Sequence, residues 1–301
     1  MKKLFKWLAI LVAGVVVLII IAGIGIYVMS NSHFNKKYDI MPETVEIPSD
    51  SASVVEGRRL FVTRGCVDCH GENGEGSIFI DNPAPGTVVG VNLTQGEGGL
   101  PENYSATDYV RALRHGVGSD GRGLVIMPSH EYTHYNDIDI GRLVAYMQAM
   151  EPIDNELPQT SVGPIFRMLV VTGAAPILPV EIIDHNAEKP EIIPPAPTKE
   201  YGKYLSVGCI GCHGDDLSGG PVPGLPPDYP PGANLTPHQS TGIGSWTKDD
   251  FFKAMREGKR PDGSEINPFM PWPAMSKMTD TELEALWVYL LTVPEKEFGN
   301  R

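Results

Sequence analysis

Cys66-Val67-Asp68-Cys69-His70 and Cys209-Ile210-Gly211-Cys212-His213 decide how this chain of 301 residues is read. Each is a Cys-x-x-Cys-His run, the attachment signature of a c-type haem. In that chemistry the two thiols add to the vinyl groups of the porphyrin, and the adjacent histidine stands under the iron. The chain has four cysteines, and the two runs use all of them. The candidate cofactor-binding residues are therefore Cys66, Cys69, Cys209 and Cys212, with His70 and His213 as iron ligands. A lone Cys-x-x-Cys also occurs as half of a zinc site, as a local disulfide or as a redox dithiol. Zinc fingers space their histidines further out, and a thioredoxin-like dithiol needs a βαβ context that is not seen here. The predicted cofactors are two covalent haem c groups.

Outward from these runs the sequence repeats itself at an offset of 143. Cys66, Cys69 and His70 map onto Cys209, Cys212 and His213, and Met127-Pro128 maps onto Met270-Pro271. Asp137 matches Asp280, Leu143 matches Leu286 and Tyr146 matches Tyr289. Asn92-Leu93-Thr94 matches Asn234-Leu235-Thr236 after a one-residue gap, and Arg114 and Gly116 match Arg256 and Gly258 with the same gap. A repeat of this kind means two copies of one domain. It also selects the ligand above each iron, where methionine, histidine or nothing can stand. Met127 and Met270 are the methionines that pair across the repeat. Met275 and Met278 fall opposite Tyr132 and Tyr135, Met147 and Met150 opposite Leu290 and Val293, and His115 and His130 opposite Glu257 and Pro273. Met127 and Met270 are the predicted distal ligands.

Each half thus resembles a class I cytochrome c domain, with Cys-x-x-Cys-His near its start, Met-Pro late and a closing helix. Asn234-Leu235-Thr236-Pro237, Trp246-Thr247, Met270-Pro271-Trp272 and Met278-Thr279-Asp280 are similar to stretches in the haem domains of membrane-bound dehydrogenase cytochrome subunits. The resemblance covers about two-thirds of the chain. It implies an electron carrier with no catalytic residue of its own. Its partners would be other redox proteins: another cytochrome, an oxidase or a dehydrogenase. Methionine and histidine on one iron leave no open position, which speaks against a dihaem peroxidase. One class of haem–copper oxidase has a two-haem subunit of similar layout, but there the two domains follow each other more closely.

The remaining sequence places these domains. Residues 1–30 form the expected anchor. Lys2, Lys3 and Lys6 precede an uncharged apolar run from Trp7 to Met29, and a bilayer core of about 30 Å needs about 20 such residues. The positive-inside rule puts the N-terminus in the cytoplasm. Tyr27-Val28-Met29-Ser30 is a poor cleavage site, so an uncleaved, single-pass anchor in a bacterial inner membrane is expected, with periplasmic haem domains. Residues 31–50, with Pro42 and Pro48, read as a polar tether able to reach about 65 Å when stretched. A first domain over 51–150 and a second over 198–301 follow. Between them, 151–197 is rich in proline and apolar residues, too greasy around Phe166-Arg167-Met168-Leu169 for a free linker, and is expected in the groove between the domains.

Caps and periodicity predict helices from about Ser53 to Thr63, from Ser105 to Arg114, from Asn136 to about Met150 and from Thr279 to about Thr292, with a copy of the second opening at Thr247. No sustained strand alternation is seen, so the fold class is all-α with long Gly/Pro-rich loops. The formal net charge is −13, and residues 1–50 hold five lysines against four acids, which leaves −14 on the exported part. That balance excludes nucleic acid as a partner and suits a basic docking protein.

Overall fold

The capping residues do what their chemistry predicts. Ser105, Thr247 and Thr279 each accept a hydrogen bond from the third backbone N–H of their helix, and Asp108, Asp250 and Glu282 reach back to the cap. Asp50 and Asn136 cap through one side-chain oxygen. Each such cap contributes about 1 kcal/mol and fixes where its helix starts. In the computed structural model, which describes residues 2–223, 225 and 228–300, twelve helices follow. Met1 and Arg301, the outer ends of the expected anchor and second domain, lie outside the described residues.

Helix α1 runs Lys2–Phe34, α2 Ser51–Thr63, α3 Cys66–His70, α4 Ala106–His115, α5 Ser129–Tyr132 and α6 Asp137–Gln148. They are followed by α7 Pro164–Thr172, α8 Lys199–Leu205, α9 Val207–His213, α10 Lys248–Glu257, α11 Trp272–Met275 and α12 Asp280–Leu290. The same crossing builds each half: α2 packs on α6, and α8 packs on α12. Glycine makes these crossings close. A Cβ on Gly57 would stand 2.0 Å from the Arg142 carbonyl oxygen, and one on Gly202 would stand 2.0 Å from that of Ala285.

The two halves share one apolar core, from Leu60, Phe61 and Leu143 in the first to Leu205, Leu283 and Leu286 in the second. They also exchange matching polar contacts. Arg59 on α2 donates to both carboxylate oxygens of Glu282 at 2.5 and 3.1 Å. Tyr204 on α8 donates to Asp139 at 2.6 Å. Asp139 and Glu282 are repeat equivalents, and Arg59 and Tyr204 occupy equivalent places two residues beyond the crossing glycines. Each domain therefore offers a donor from its first helix to the third residue of the other's closing helix, a two-fold-like arrangement.

Three features depart from the sequence expectations. First, a small antiparallel sheet joins the helices: β1 Ser77–Asn82 pairs with β2 Gly86–Gly90, which pairs with β3 Ser161–Val162. Ile78-Phe79-Ile80 and Thr87-Val88-Val89 flank Pro83-Ala84-Pro85-Gly86, a hairpin pattern in an otherwise helical domain. Second, residues 31–50 are no free tether. Tyr38 N–H donates to the Gly121 carbonyl at 2.8 Å, Glu43 meets Arg114 at 2.5 Å, and Val45 is buried in the main core. Third, the apolar part of 151–197 does not fill the groove between the domains. Phe166, Val170, Ile177, Leu178 and Val180 form a second core with Val88 and Val117 of the first domain, with Phe34 at the end of α1 and Tyr38 just beyond it packed against them. Those side chains found their apolar cover on one domain and the anchor, while the domains cover each other directly.

Candidate haem-binding site

The two Cys-x-x-Cys-His runs form the short helices α3 and α9. Each is pressed from behind by a glycine: a Cβ on Gly90 would stand 2.0 Å from the Cys69 carbonyl oxygen, and one on Gly232 would stand 2.1 Å from that of Cys212. The next residues then reach the histidines. His70 Nδ1 lies 2.9 Å from the Val91 carbonyl oxygen, and His213 Nδ1 lies 2.7 Å from that of Ala233. A carbonyl can only accept, so Nδ1 carries the proton and Nε2 keeps its lone pair, the tautomer a metal ligand needs.

Met127 and Met270 occupy matching turns. The N–H two residues on, of Ser129 and of Trp272, donates to the methionine carbonyl at 2.8 and 2.7 Å, and Pro128 and Pro271 cap the short helices α5 and α11. Both methionines line one continuous cavity of about 1380 Å³ with His70, His213, Cys66, Cys69, Cys209 and Cys212. The structure thus brings all eight predicted residues to one space. Met275 and Met278 also reach its wall, so the shared turn rather than cavity lining distinguishes Met127 and Met270.

Burial pushes the Cys66 and Cys209 thiols up to about 12 and the Cys69 thiol up to about 11. Zinc ligation and dithiol redox chemistry both use the thiolate, which such surroundings disfavour. Burial also holds the His70 imidazole below its ordinary value, on the neutral side that iron ligation requires.

The walls fit a haem in a further way. The Arg64 side chain is almost wholly buried and lines the cavity, stacked 5.1 Å from the centre of the Tyr135 ring and 3.6 Å from Glu282. Its Nε and Nη2 have no hydrogen-bond partner. Glu282 already balances the guanidinium's charge, but the unused donors still call for acceptors, and a haem c carries two carboxylates. Thiols, carbonyl-oriented imidazoles, thioethers, apolar walls and a buried guanidinium with free donors together fit that group, and Cys66, Cys69, His70 and Met127, with Cys209, Cys212, His213 and Met270, are the residues that would hold the pair.

Sequence reasoning missed Arg64, although it stands two residues before Cys66; nothing local announces that an arginine is buried. It read Asn-Leu-Thr as fold residues without chemistry and named no partner for them. In the structure Asn92 Oδ1 accepts from the Thr94 N–H and hydroxyl, and its amide donates to the Ile153 carbonyl at 2.8 Å. Asn234 makes the same bonds to Thr236 and to the Lys296 carbonyl. These turns tie the loop after each histidine to the chain beyond the closing helix.

Comparison with known proteins agrees with this geometry. The family model described as cytochrome c matches twice, over residues 54–151 and 200–294. The fructose dehydrogenase cytochrome subunit of Gluconobacter japonicus is 32% identical over 137 residues, 42% of this chain and 28% of that protein. The gluconate 2-dehydrogenase cytochrome c subunit of Pantoea cypripedii is 37% identical over 98 residues, 30% of this chain and 22% of that protein. A Cbb3-type cytochrome c oxidase subunit CcoP of Helicobacter pylori is 28% identical over 102 residues, 33% of this chain and 29% of that protein. The matched stretch spans less than a third of each relative's length. The double match, with a motif, a glycine support and a carbonyl-oriented histidine in each half, places this chain in the cytochrome c family.

Proposed function

We propose that the protein carries electrons through two covalent haem c groups, one per half, between a donor and an acceptor protein. The observation that carries this is the single cavity onto which both Cys-x-x-Cys-His runs and both Met-Pro turns open. When bound, haem c supplies a reversible one-electron iron couple. The chain's residues do the rest. His70 and His213 are held by backbone carbonyls in the ligating tautomer. Met127 and Met270 offer thioethers, which favour the reduced state and raise the potential. Leu60, Phe61, Leu283 and Leu286 keep water from the joined core, and Tyr135, buried with Cys66 and Cys209 as neighbours, stands in the wall between the two runs. No residue is assigned a catalytic role.

The placement follows the same reading. Helix α1 carries an uncharged apolar run from Trp7 to Met29 that the rest of the chain leaves uncovered, and serves as a single-pass anchor with Lys2, Lys3 and Lys6 on the cytoplasmic side. The haem domains then stand on the outer face of a bacterial inner membrane. The relatives are by name subunits of dehydrogenases and an oxidase, which supports work within such a complex. The acidic surface suits a redox partner with a basic face. Potentiometric titration of the purified protein tests the proposal: two one-electron couples per chain are expected, with no carbon monoxide bound by the reduced protein. A single couple, or ready carbon monoxide binding at either iron, would overturn it.

A further inference from the structure

We propose that helix α7, with the β1–β2 hairpin tip docked on its first turn, lies in the outer interface of the membrane and gives the first domain a second contact with lipid. This rests on reading α1 as a membrane span.

The level comes from α1 itself. Twenty residues separate Trp7 from Tyr27, a rise of about 30 Å along a helix, the thickness of a bilayer's hydrocarbon core. Both rings are exposed on α1, as in the aromatic belts that mark the two boundaries. Tyr27 therefore marks the outer boundary, with Ser30, Asn31, Ser32 and His33 just beyond it.

Helix α7 is fastened at that level. The Arg167 guanidinium lies 4.5 Å from the centre of the Tyr27 ring and 5.7 Å from that of Phe34. It also donates to Ser30 Oγ at 2.9 Å and to Asn31 Oδ1 at 3.2 Å. At the end of a 3-10 turn over Pro179–Glu181, Glu181 accepts from the Tyr38 hydroxyl at 3.1 Å and meets His33 at 2.7 Å. The end of α1 is thus clamped between two side chains of this segment, and α7 has no freedom to leave the boundary.

The composition of the segment fits lipid rather than water. Residues 157–180 contain one charged side chain, Arg167, which α1 already engages. At the chain's average of 20% charged residues, about five would be expected. Phe166 and Val170 face the first domain. Ile165 and Met168, one turn apart on the outward side, are 43% and 45% exposed. The Ile165 N–H donates to the Ala84 carbonyl at 2.9 Å, which brings the hairpin tip, with the exposed Pro83 and half-buried Ala84, alongside. A surface helix of a domain standing in water shows a polar face there; an interfacial helix shows this one. The consequence is a first haem domain held in one orientation on the bilayer. The cavity of the site reaches Asn31, Phe34 and Asn35, so that end of the site faces the membrane.

The test uses the full holoprotein in vesicles of phosphatidylethanolamine and phosphatidylglycerol. Single cysteines are introduced as Leu18→Cys, Met168→Cys and Ser240→Cys, with Ile165→Cys as a second reporter on α7, and spin-labelled. Accessibility to oxygen is compared with accessibility to a water-soluble nickel chelate. The expected result is a label at 18 deep in lipid, a label at 240 in water, and an oxygen-to-nickel ratio at 165 and 168 severalfold above that at 240. A ratio at both α7 sites equal to that at 240, with 18 still deep, overturns the lipid contact and leaves the anchor standing. Labels at 165 and 168 shielded from both reagents overturn it in favour of a protein surface on α7. A label at 18 that reads as aqueous overturns the anchor itself.

Discussion

Arg114 and Arg256 stand at equivalent places in the two halves, yet their surroundings differ. Arg114 is buried and donates to Glu43 at 2.5 Å, to Asp137 at 2.8 Å and to the Tyr135 carbonyl at 2.9 Å. Arg256 donates to Asp280, whose side chain is 84% exposed, and to the Ser276 carbonyl. The difference lies in Glu43, which comes from residues 31–50, a stretch the second half lacks. The distal loops repeat the contrast. The Ile126 N–H beside Met127 donates to the Ile177 carbonyl at 2.9 Å, and Leu178 and Val180 are buried over that loop. Beside Met270, Phe269 is partly exposed and meets the Tyr229 ring at 5.3 Å. The repeated sequence builds the two sites, and the unrepeated segments coat one of them. Similar ligand sets should therefore sit in unequal protection from water.

The largest test separates the halves. Replacing Cys209 and Cys212 together by alanine should remove one of two haems and leave the first site loaded, as counted by haem per polypeptide; the Cys66→Ala, Cys69→Ala pair should do the reverse. Loss of both haems from either pair would show that the sites do not assemble independently. Next come the thioethers. Met127→Ala and Met270→Ala should each lower one potential by on the order of 100 mV, within the roughly 0.8 V range that axial ligands span, and open that iron to carbon monoxide. The Met127→Ala site, under its coat, should bind carbon monoxide more slowly than the Met270→Ala site. Met275→Ala and Met278→Ala should do neither; an effect there in place of Met270→Ala would reassign the second ligand.

The arginines give a stability test. Arg114→Met takes the buried charge from Glu43 and leaves Asp137 to Lys189 alone, and should cost about 3 kcal/mol in denaturant unfolding, as breaking a buried pair does. Arg256→Met should cost about 1 kcal/mol or less, because its partner is in water. Equal losses would remove the claimed asymmetry.

The smallest effect concerns pH at the contact between the halves. Burial alone would raise the Glu282 carboxyl, but hydrogen bonds from Arg59 and the charge of Arg64 outweigh it and hold the group below its ordinary value. A carboxyl lower in the folded state than in the unfolded one stabilises fully above the unfolded value, about 4.3. That contribution is lost as pH falls through the folded value. Stability should therefore decline below about pH 4, and Glu282→Gln should flatten that part of the profile. An unchanged acid limb in Glu282→Gln would show that this pair does not couple the domains.

Much of this was legible in the sequence because it is local. The cysteine runs, the Met-Pro turns and the capping pairs Ser105/Asp108, Thr247/Asp250 and Thr279/Glu282 are short patterns, and the offset of 143 doubles each signal. The apolar run that becomes α1 needs only composition. What stayed hidden depends on partners far along the chain. Arg59 and Glu282 meet across 223 residues, and Arg59 matches Tyr204 rather than another arginine, so the two-fold contact shows in neither composition nor periodicity. Residues 31–50 look polar enough to float, yet Glu43 and Val45 are claimed by a buried arginine and an apolar core. The stretch around Phe166 announces burial without saying against what. The β1–β2 hairpin was within reach of its Pro/Gly turn, but the helical signals on both sides outweighed two short strands.

The most direct measurement is the mass of the purified polypeptide after acid–acetone extraction. Two haem masses should remain attached to each chain. One remaining haem, none, or zinc in their place would contradict the pairing of Cys66, Cys69 and His70 with Cys209, Cys212 and His213 as two equivalent attachment sites.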